Sequence, residues 1–322
     1  MLALVAGFAV IGCDGAAEFP VLDCTSLDVR VAGRSLVGIE DIAQYDARQL
    51  ILSAQNRKDV SVSPKGLFLF DTAQHGAVVK ATRVTPEADP LVPHGIALEV
   101  ETSIIYAVDH SEAQARIIRY DMTGGSKRIA LSPEIWTDDA PYPCNLNDIA
   151  AAPGGRILAT NDRQSCSWFG RLLDNVFGRE NGAIVELSVD GTASILADGL
   201  FFPNGIAVDG GDVWVAQTRA KQITHVQSGA ALVFAGGPDN ISPSAYAQRH
   251  WVAVIPSLFR FSLMIAGLSD YSPSLVSAFD EDINTYAVTE FSGATTVVEM
   301  AEHLYIGGAF AQGLAKCKRP DA

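Results

Sequence analysis

The chain has 322 residues, of which 48% are hydrophobic and 19% charged, with 28 glycines and a formal net charge of −14. That acidity excludes a nucleic-acid partner, which needs a basic face. Few charges, many glycines and scarce amphipathic helical pattern point instead to a β-rich, turn-rich fold with ample material for a core.

Residues 1–11 form an apolar run too short to span a bilayer as a helix, and they read as the core of an export signal. The run ends in Val10-Ile11-Gly12-Cys13, which resembles a bacterial lipobox, although no Lys or Arg precedes it. The expectation is a lipoprotein-type signal over 1–12, a lipidated Cys13 attaching the chain to a membrane, a short linker over 13–23 and one domain over 24–322. Such a protein is exported, to the periplasm or cell envelope. Setting Cys13 aside leaves Cys24, Cys144, Cys166 and Cys317, an even number that suits disulfides and permits three pairings. A Cys24–Cys317 bridge would staple the two ends together, and a Cys144–Cys166 bridge would pin the loop around residue 145.

From Glu40 onward one short pattern recurs. It reads Glu40-Asp41-Ile42-Ala43, His94-Gly95-Ile96-Ala97, Asn147-Asp148-Ile149-Ala150, Asn204-Gly205-Ile206-Ala207 and Asp239-Asn240-Ile241-Ser242, with Thr295-Thr296-Val297-Val298 as a degenerate sixth copy. The steps of roughly 35 to 57 residues match one propeller blade each. Each copy is followed by a second apolar segment, at 49–53, 104–108, 156–160, 212–216, 250–254 and 303–307, rich in β-branched and aromatic residues. Further strand-like runs at 115–120 and 183–187 precede the turn signals Gly124-Gly125 and Asp190-Gly191. The prediction is an all-β, six-bladed β-propeller. Two stretches break the pattern. Residues 167–178 carry Trp168, Leu172 and Val176 with Phe169, Leu173 and Phe177, which predicts a short helix with a broad apolar face, a wall or lid beside a site. Residues 255–275 form a long apolar connection, read as ordinary strand or a second wall.

In a propeller, equivalent positions converge on the central channel, so the repeat predicts a site. The residues delivered there are Glu40, His94, Asn147, Asn204 and the pair Asp239-Asn240. Carboxylates with amide carbonyls are hard oxygen donors, which suit Ca²⁺ better than zinc or copper. Glu40, Asn147, Asn204, Asp239 and Asn240 supply about five of the six to eight oxygens Ca²⁺ takes. Asp41 and Asp148, with the Ile96 carbonyl, are placed to hold a second cation deeper in a central calcium tunnel.

At these motifs, and over the segment 293–317, the sequence resembles the calcium-dependent paraoxonase/arylesterase family, and more distantly the gluconolactonase-like propellers. The resemblance implies two calcium ions, one catalytic (Glu40, Asn147, Asn204, Asp239, Asn240) and one structural (Asp41, Asp148, Ile96). It also implies the Cys24–Cys317 disulfide, a His94 and His110 dyad, and hydrolysis of small-molecule lactones and aryl esters. Trp251-Val252 departs from the animal members by running into Ala253-Val254-Ile255-Pro256, a stretch expected to line the pocket mouth. The expected chemistry has Ca²⁺ polarising the carbonyl, His94 activating water and His110 relaying the proton. No Gly-x-Ser-x-Gly elbow, P-loop or His-Glu-x-x-His motif competes. A non-catalytic propeller with structural calcium is the alternative, and esterase activity separates the two.

Overall fold

The computed structural model describes residues 18–59, 61–87, 91–99, 101–112, 114–121, 143–188 and 192–320. The signal over 1–12, Cys13 and the turn signals at 124–125 and 190–191 lie outside these residues. The described chain is nearly all β, with two short α-helices, α1 (Trp168–Phe177) and α2 (Leu258–Ile265).

Six strands, each opening one repeat unit, face the centre: Val37–Gln44, Pro93–Glu99, Leu146–Ala152, Pro203–Asp209, Gly237–Pro243 and Ala294–Met300. Each pairs antiparallel with the next strand in sequence, which pairs in turn with a third. Each inner strand also packs against the inner strands before and after it, the last against the first, so the six close a ring. The propeller class expected from the repeat is the class observed.

The blade count differs from six when counted by hydrogen bonds: the strands form five sheets, and the largest has nine strands drawn from the first and last units. Two pairings fuse them. Near the axis, Gly308 of His303–Gln312 pairs with Ile39. At the outer edge, Cys24–Val31 pairs antiparallel with Leu314–Lys318 and, in parallel, with Val78–Arg83. The expected 13–23 linker is docked at its far end, where Leu22 is buried and Val21 bridges Ala287 of the strand Ile283–Val288.

Six apolar clusters fill the spaces between successive units. The strand His250–Ile255 illustrates why: its side chains alternate, Trp251 and Ala253 packing toward one neighbour and Val252 and Val254 toward the other. A strand buried on both faces reads as a continuous apolar run, which explains its sequence. It also corrects an expectation, because Ala253-Val254-Ile255 is interior strand and not part of the pocket mouth.

Both disulfides join the expected cysteines. Cys24 and Cys317 face each other across the outer-edge pairing, and Cys144 bridges Cys166. Helix α1 begins after Ser167, whose side chain accepts the Gly170 N–H, and ends at Gly178 in the left-handed region. The 255–275 connection is not strand throughout. It holds α2, capped by Ser257, which the sequence hides because Leu258–Ile265 is apolar nearly all round and lacks a polar face.

Candidate active site

The inner strands share one irregularity. Each has a bulge in its pairing with the second strand, between Ile39 and Asp41, Pro93 and Ile96, Leu146 and Ile149, Pro203 and Ile206, Pro238 and Ile241, and Ala294 and Thr296. The bulged residues are Glu40, His94-Gly95, Asn147-Asp148, Asn204-Gly205, Asp239-Asn240 and Thr295. A bulge adds a residue to one strand and re-aims its side chains. Here that happens six times around one axis.

Backbone groups freed by the bulges are taken up by neighbouring units, as buried polar groups require. Ser53 Oγ donates to the His94 carbonyl at 2.6 Å, Thr160 Oγ1 to that of Asn204 at 2.5 Å and Thr218 Oγ1 to that of Pro238 at 2.7 Å. The Asn240 amide and the Thr295 hydroxyl both donate to the Glu40 carbonyl, at 3.0 and 3.1 Å.

A cleft of about 670 Å³ opens over this ring, lined by Glu40, His94, Asn147, Asn204, Asp239 and Thr295 among others. His110 lines it too, its ring stacked on that of His94 with centroids 4.7 Å apart. The His110 Nε2 lies 2.7 Å from the Leu146 carbonyl, so it carries the proton and donates. Burial, then the neighbouring His94, lowers the His110 pKa to about 4, which keeps the ring neutral. Asp109 fixes the turn that carries His110 by accepting from the Val92 and Ser111 N–H groups and from Arg116.

Asp41 and Asp148 point the other way, into a second cleft of about 640 Å³ at the opposite end of the channel. Asp41 accepts the N–H of Ile96 at 2.7 Å, and Asp148 that of Ile206 at 2.9 Å. Ile96 thus enters this network through its N–H. The adjacent residues Asn147 and Asp148 line the two different clefts.

Three residues of this cleft escaped the sequence reading. Arg57 contacts both Glu40 and His94. Asp162 accepts from the Asn147 amide at 2.9 Å. Arg163 lies 3.5 Å from Asp162 and stacks on Phe202. All follow second strands, whose ends run antiparallel to the bulges and so reach the same face. The signal that could have found them is a second polar ring at Gln55-Asn56-Arg57, Asp109-His110, Asn161-Asp162-Arg163 and Gln217-Thr218-Arg219. Of the two expected walls, α2 lines the cleft with Phe261 and Ile265, whereas α1 exposes Phe169 and Phe177.

The electrostatics are those of crowded, buried carboxylates. Burial pushes Asp41 up to about 7, and burial with Asp41's charge pushes Asp148 well above the usual range. Asp239 is raised by burial and then by Glu40. Glu40 differs: burial works to raise it, but Arg57 and His94 overrule that and hold it at about 2. Asp148 Oδ1 is buried without a hydrogen-bond partner among the described residues. Also among them, no three His, Cys, Asp or Glu side chains form a metal-ligand cluster. The donors are instead mixed carboxylates, Asn amides and carbonyls, a chemistry that suits a hard cation and not zinc. The residues present therefore fit calcium at the rim, and the orphaned Asp148 oxygen fits a cation deeper.

The family model for arylesterases matches residues 50–285, most of the chain. The chain belongs to the arylesterase family. The matched range takes in His94, His110, Asn147, Asn204, Asp239 and Asn240 but stops short of Glu40 and Asp41. No curated protein matches the sequence of this arylesterase-family chain. Among solved structures, a gluconolactonase from Xanthomonas campestris aligns over 94% of this chain and 98% of its own, with a TM-score of 0.56 and 16% identity. An aldose sugar dehydrogenase from Streptomyces coelicolor, bound to PQQ, covers 89% and 97% at TM-score 0.54 and 14% identity. A luciferin-regenerating enzyme covers 89% and 92% at 0.52 and 13%. A fold shared by such different enzymes leaves the chemistry to the site.

Proposed function

We propose that this chain is a calcium-dependent hydrolase of lactones or aryl esters. The observation that carries the reading is the sixfold bulge, which aims Glu40, His94, Asn147, Asn204 and Asp239 at one cleft. Glu40, Asn147, Asn204, Asp239 and Asn240 would hold the catalytic ion, and Asp41, Asp148 and the Ile96 carbonyl the structural one. When bound, the catalytic ion supplies Lewis-acid polarisation of the ester carbonyl.

The chain's own residues do the rest. His94 Nδ1 lies 3.2 Å from Glu40 Oε2, close enough for Nδ1–H to donate to that carboxylate. This tautomer leaves Nε2 unprotonated, to take a proton from water once Arg57, whose Nη2 lies 3.4 Å from it, withdraws. Arg57 competes for Nδ1, because a guanidinium can only donate. Base catalysis by Nε2 therefore requires Arg57 to leave that contact. His110, held through Nε2–H, offers Nδ1 as the nitrogen that would accept a relayed proton.

The test is hydrolysis of phenyl acetate and a panel of lactones by protein supplied with Ca²⁺. Turnover is expected, lost in chelator and restored by Ca²⁺ but not Mg²⁺. His94→Gln should lower kcat by about 10² to 10⁴-fold while calcium binding persists. Folded, calcium-loaded protein that turns over none of these compounds would sink the enzyme reading in favour of a binding module.

A further inference from the structure

We propose that Arg57 competes with the catalytic cation for Glu40, so that one withdrawal of its guanidinium both completes the ion's ligand set and clears His94. The proposal rests on the calcium-hydrolase reading above and adds the regulation of that site.

One nitrogen makes both contacts. Arg57 Nη2 pairs with Glu40 Oε2, touches His94 Nδ1 and lies 3.4 Å from His94 Nε2. A guanidinium keeps its charge at any ordinary pH and can only donate. Glu40 and His94 are both buried, so a second positive charge beside the same carboxylate oxygen would meet poorly screened repulsion. Arg57 and the ion therefore exclude each other at Glu40. Because the same nitrogen stands against both ring nitrogens of His94, giving up Glu40 also gives up the base. The coupling is reciprocal: whatever draws Arg57 away favours the ion, and the ion keeps Arg57 away.

The structure shows which partner is free to move. Glu40 is fixed, since its carbonyl accepts from Asn240 and Thr295. Arg57 holds on by one nitrogen and not by the stronger bidentate fork, and its side chain is 30% exposed, with solvent in reach. Its backbone has no need to follow. Asn56 Oδ1 accepts the N–H groups of Lys58 and Asp59, both at 3.0 Å, which closes the turn beneath Arg57. Lys58 ties the next position to Asp270 at 3.4 Å and stands over the Phe310 ring. The motion is thus a side-chain swing on a fixed turn, and calcium affinity is reduced by the fraction of time that Arg57 spends on Glu40.

The alternative is that Arg57 merely adds charge to the cleft. Calorimetric titration of the full chain with Ca²⁺ separates the two. Arg57→Gln is expected to bind one of two ions about tenfold or more tightly, leaving the other, assigned to Asp41 and Asp148 in the opposite cleft, unchanged. Lys58→Gln removes the same charge one residue away and should gain far less. Release of the base is read in the wild-type protein by carbethoxylation of His94 with diethyl pyrocarbonate, which attacks unprotonated imidazole nitrogens, located by peptide mass mapping. Calcium should raise that rate severalfold, and metal-free Arg57→Gln should already react at the calcium-loaded rate. An affinity that is unchanged or lower in Arg57→Gln overturns the proposal, as does an equal gain in Lys58→Gln. So does a wild-type His94 whose reactivity calcium leaves unchanged or slows, a result that needs no variant to fold. Wild-type protein that binds no calcium overturns it together with the calcium reading. If affinity and reactivity change as expected but no ester or lactone turns over, the competition stands and the hydrolase reading falls.

Discussion

Glu299 lies in the sixth inner strand with its side chain fully buried, accepting from the Trp251 indole at 2.8 Å and from Ser244, and pairing with Arg319. Burial works to raise its pKa, but Ser244, Arg319 and Trp251 outweigh that and leave it below the usual carboxylate range. A depressed folded-state pKa adds stability above the unfolded value of about 4.3, and this is lost as pH falls through the folded value. Glu299→Gln should therefore cost about 1.5 to 3 kcal/mol at pH 7, and the gap to wild type should narrow as urea unfolding is repeated at lower pH. A gap constant down to pH 3 would mean that the carboxylate charge contributes nothing. The same physics, applied to Asp41 and Asp148, gives the opposite sign: raised pKa values mark groups whose ionised forms weaken the fold, a cost that the proposed structural cation would offset.

The inner strand with its bulge is the element that makes the site, and its tolerance is narrow. A Cβ on Gly205 would stand 2.3 Å from the Asp239 carbonyl oxygen and 2.6 Å from the Asn240 Cα, so main chain of the next bulge would have to move. Gly205→Ala should cost about 1 to 3 kcal/mol and weaken calcium binding by displacing Asp239 and Asn240. A wild-type melting temperature together with wild-type calcium affinity would show that the bulges are not packed this closely. The inner strands were legible because one polar-small-Ile pattern recurs at each bulge. Arg57, Asp162 and Arg163 were not, because the second strands end in polar residues of no common type and the pattern appears only once antiparallel pairing sets both ends side by side. Helix α2 was hidden for another reason, since an apolar segment of eight residues looks the same as strand or helix.

At the scale of the whole molecule, the ring closes by fusing its first and last units. Cys24 and Cys317 join them with Cα atoms 3.9 Å apart across a sequence separation of 293. Replacing both by Ala should cost about 2 to 5 kcal/mol, and an unchanged melting temperature would show that the seam holds without the bond. The fusion has a further effect on how the molecule meets copies of itself. A repeat unit normally ends in an open strand edge, a template on which another chain can pair. The parallel pairing of Cys24–Val31 with Val78–Arg83 removes two such edges, and Pro20 and Leu22 bond across part of a third at Ala287. Of the edges left among the described residues, Ala231–Val233 is only three residues long, whereas Ala193–Leu200 has eight, with Ile195 and Leu196 each 40% exposed. Irregular register toward Gly182–Leu187 and the interruption at Asp198-Gly199 make that longer edge a poor template. Aggregation through strand addition would begin there if those two interruptions were straightened.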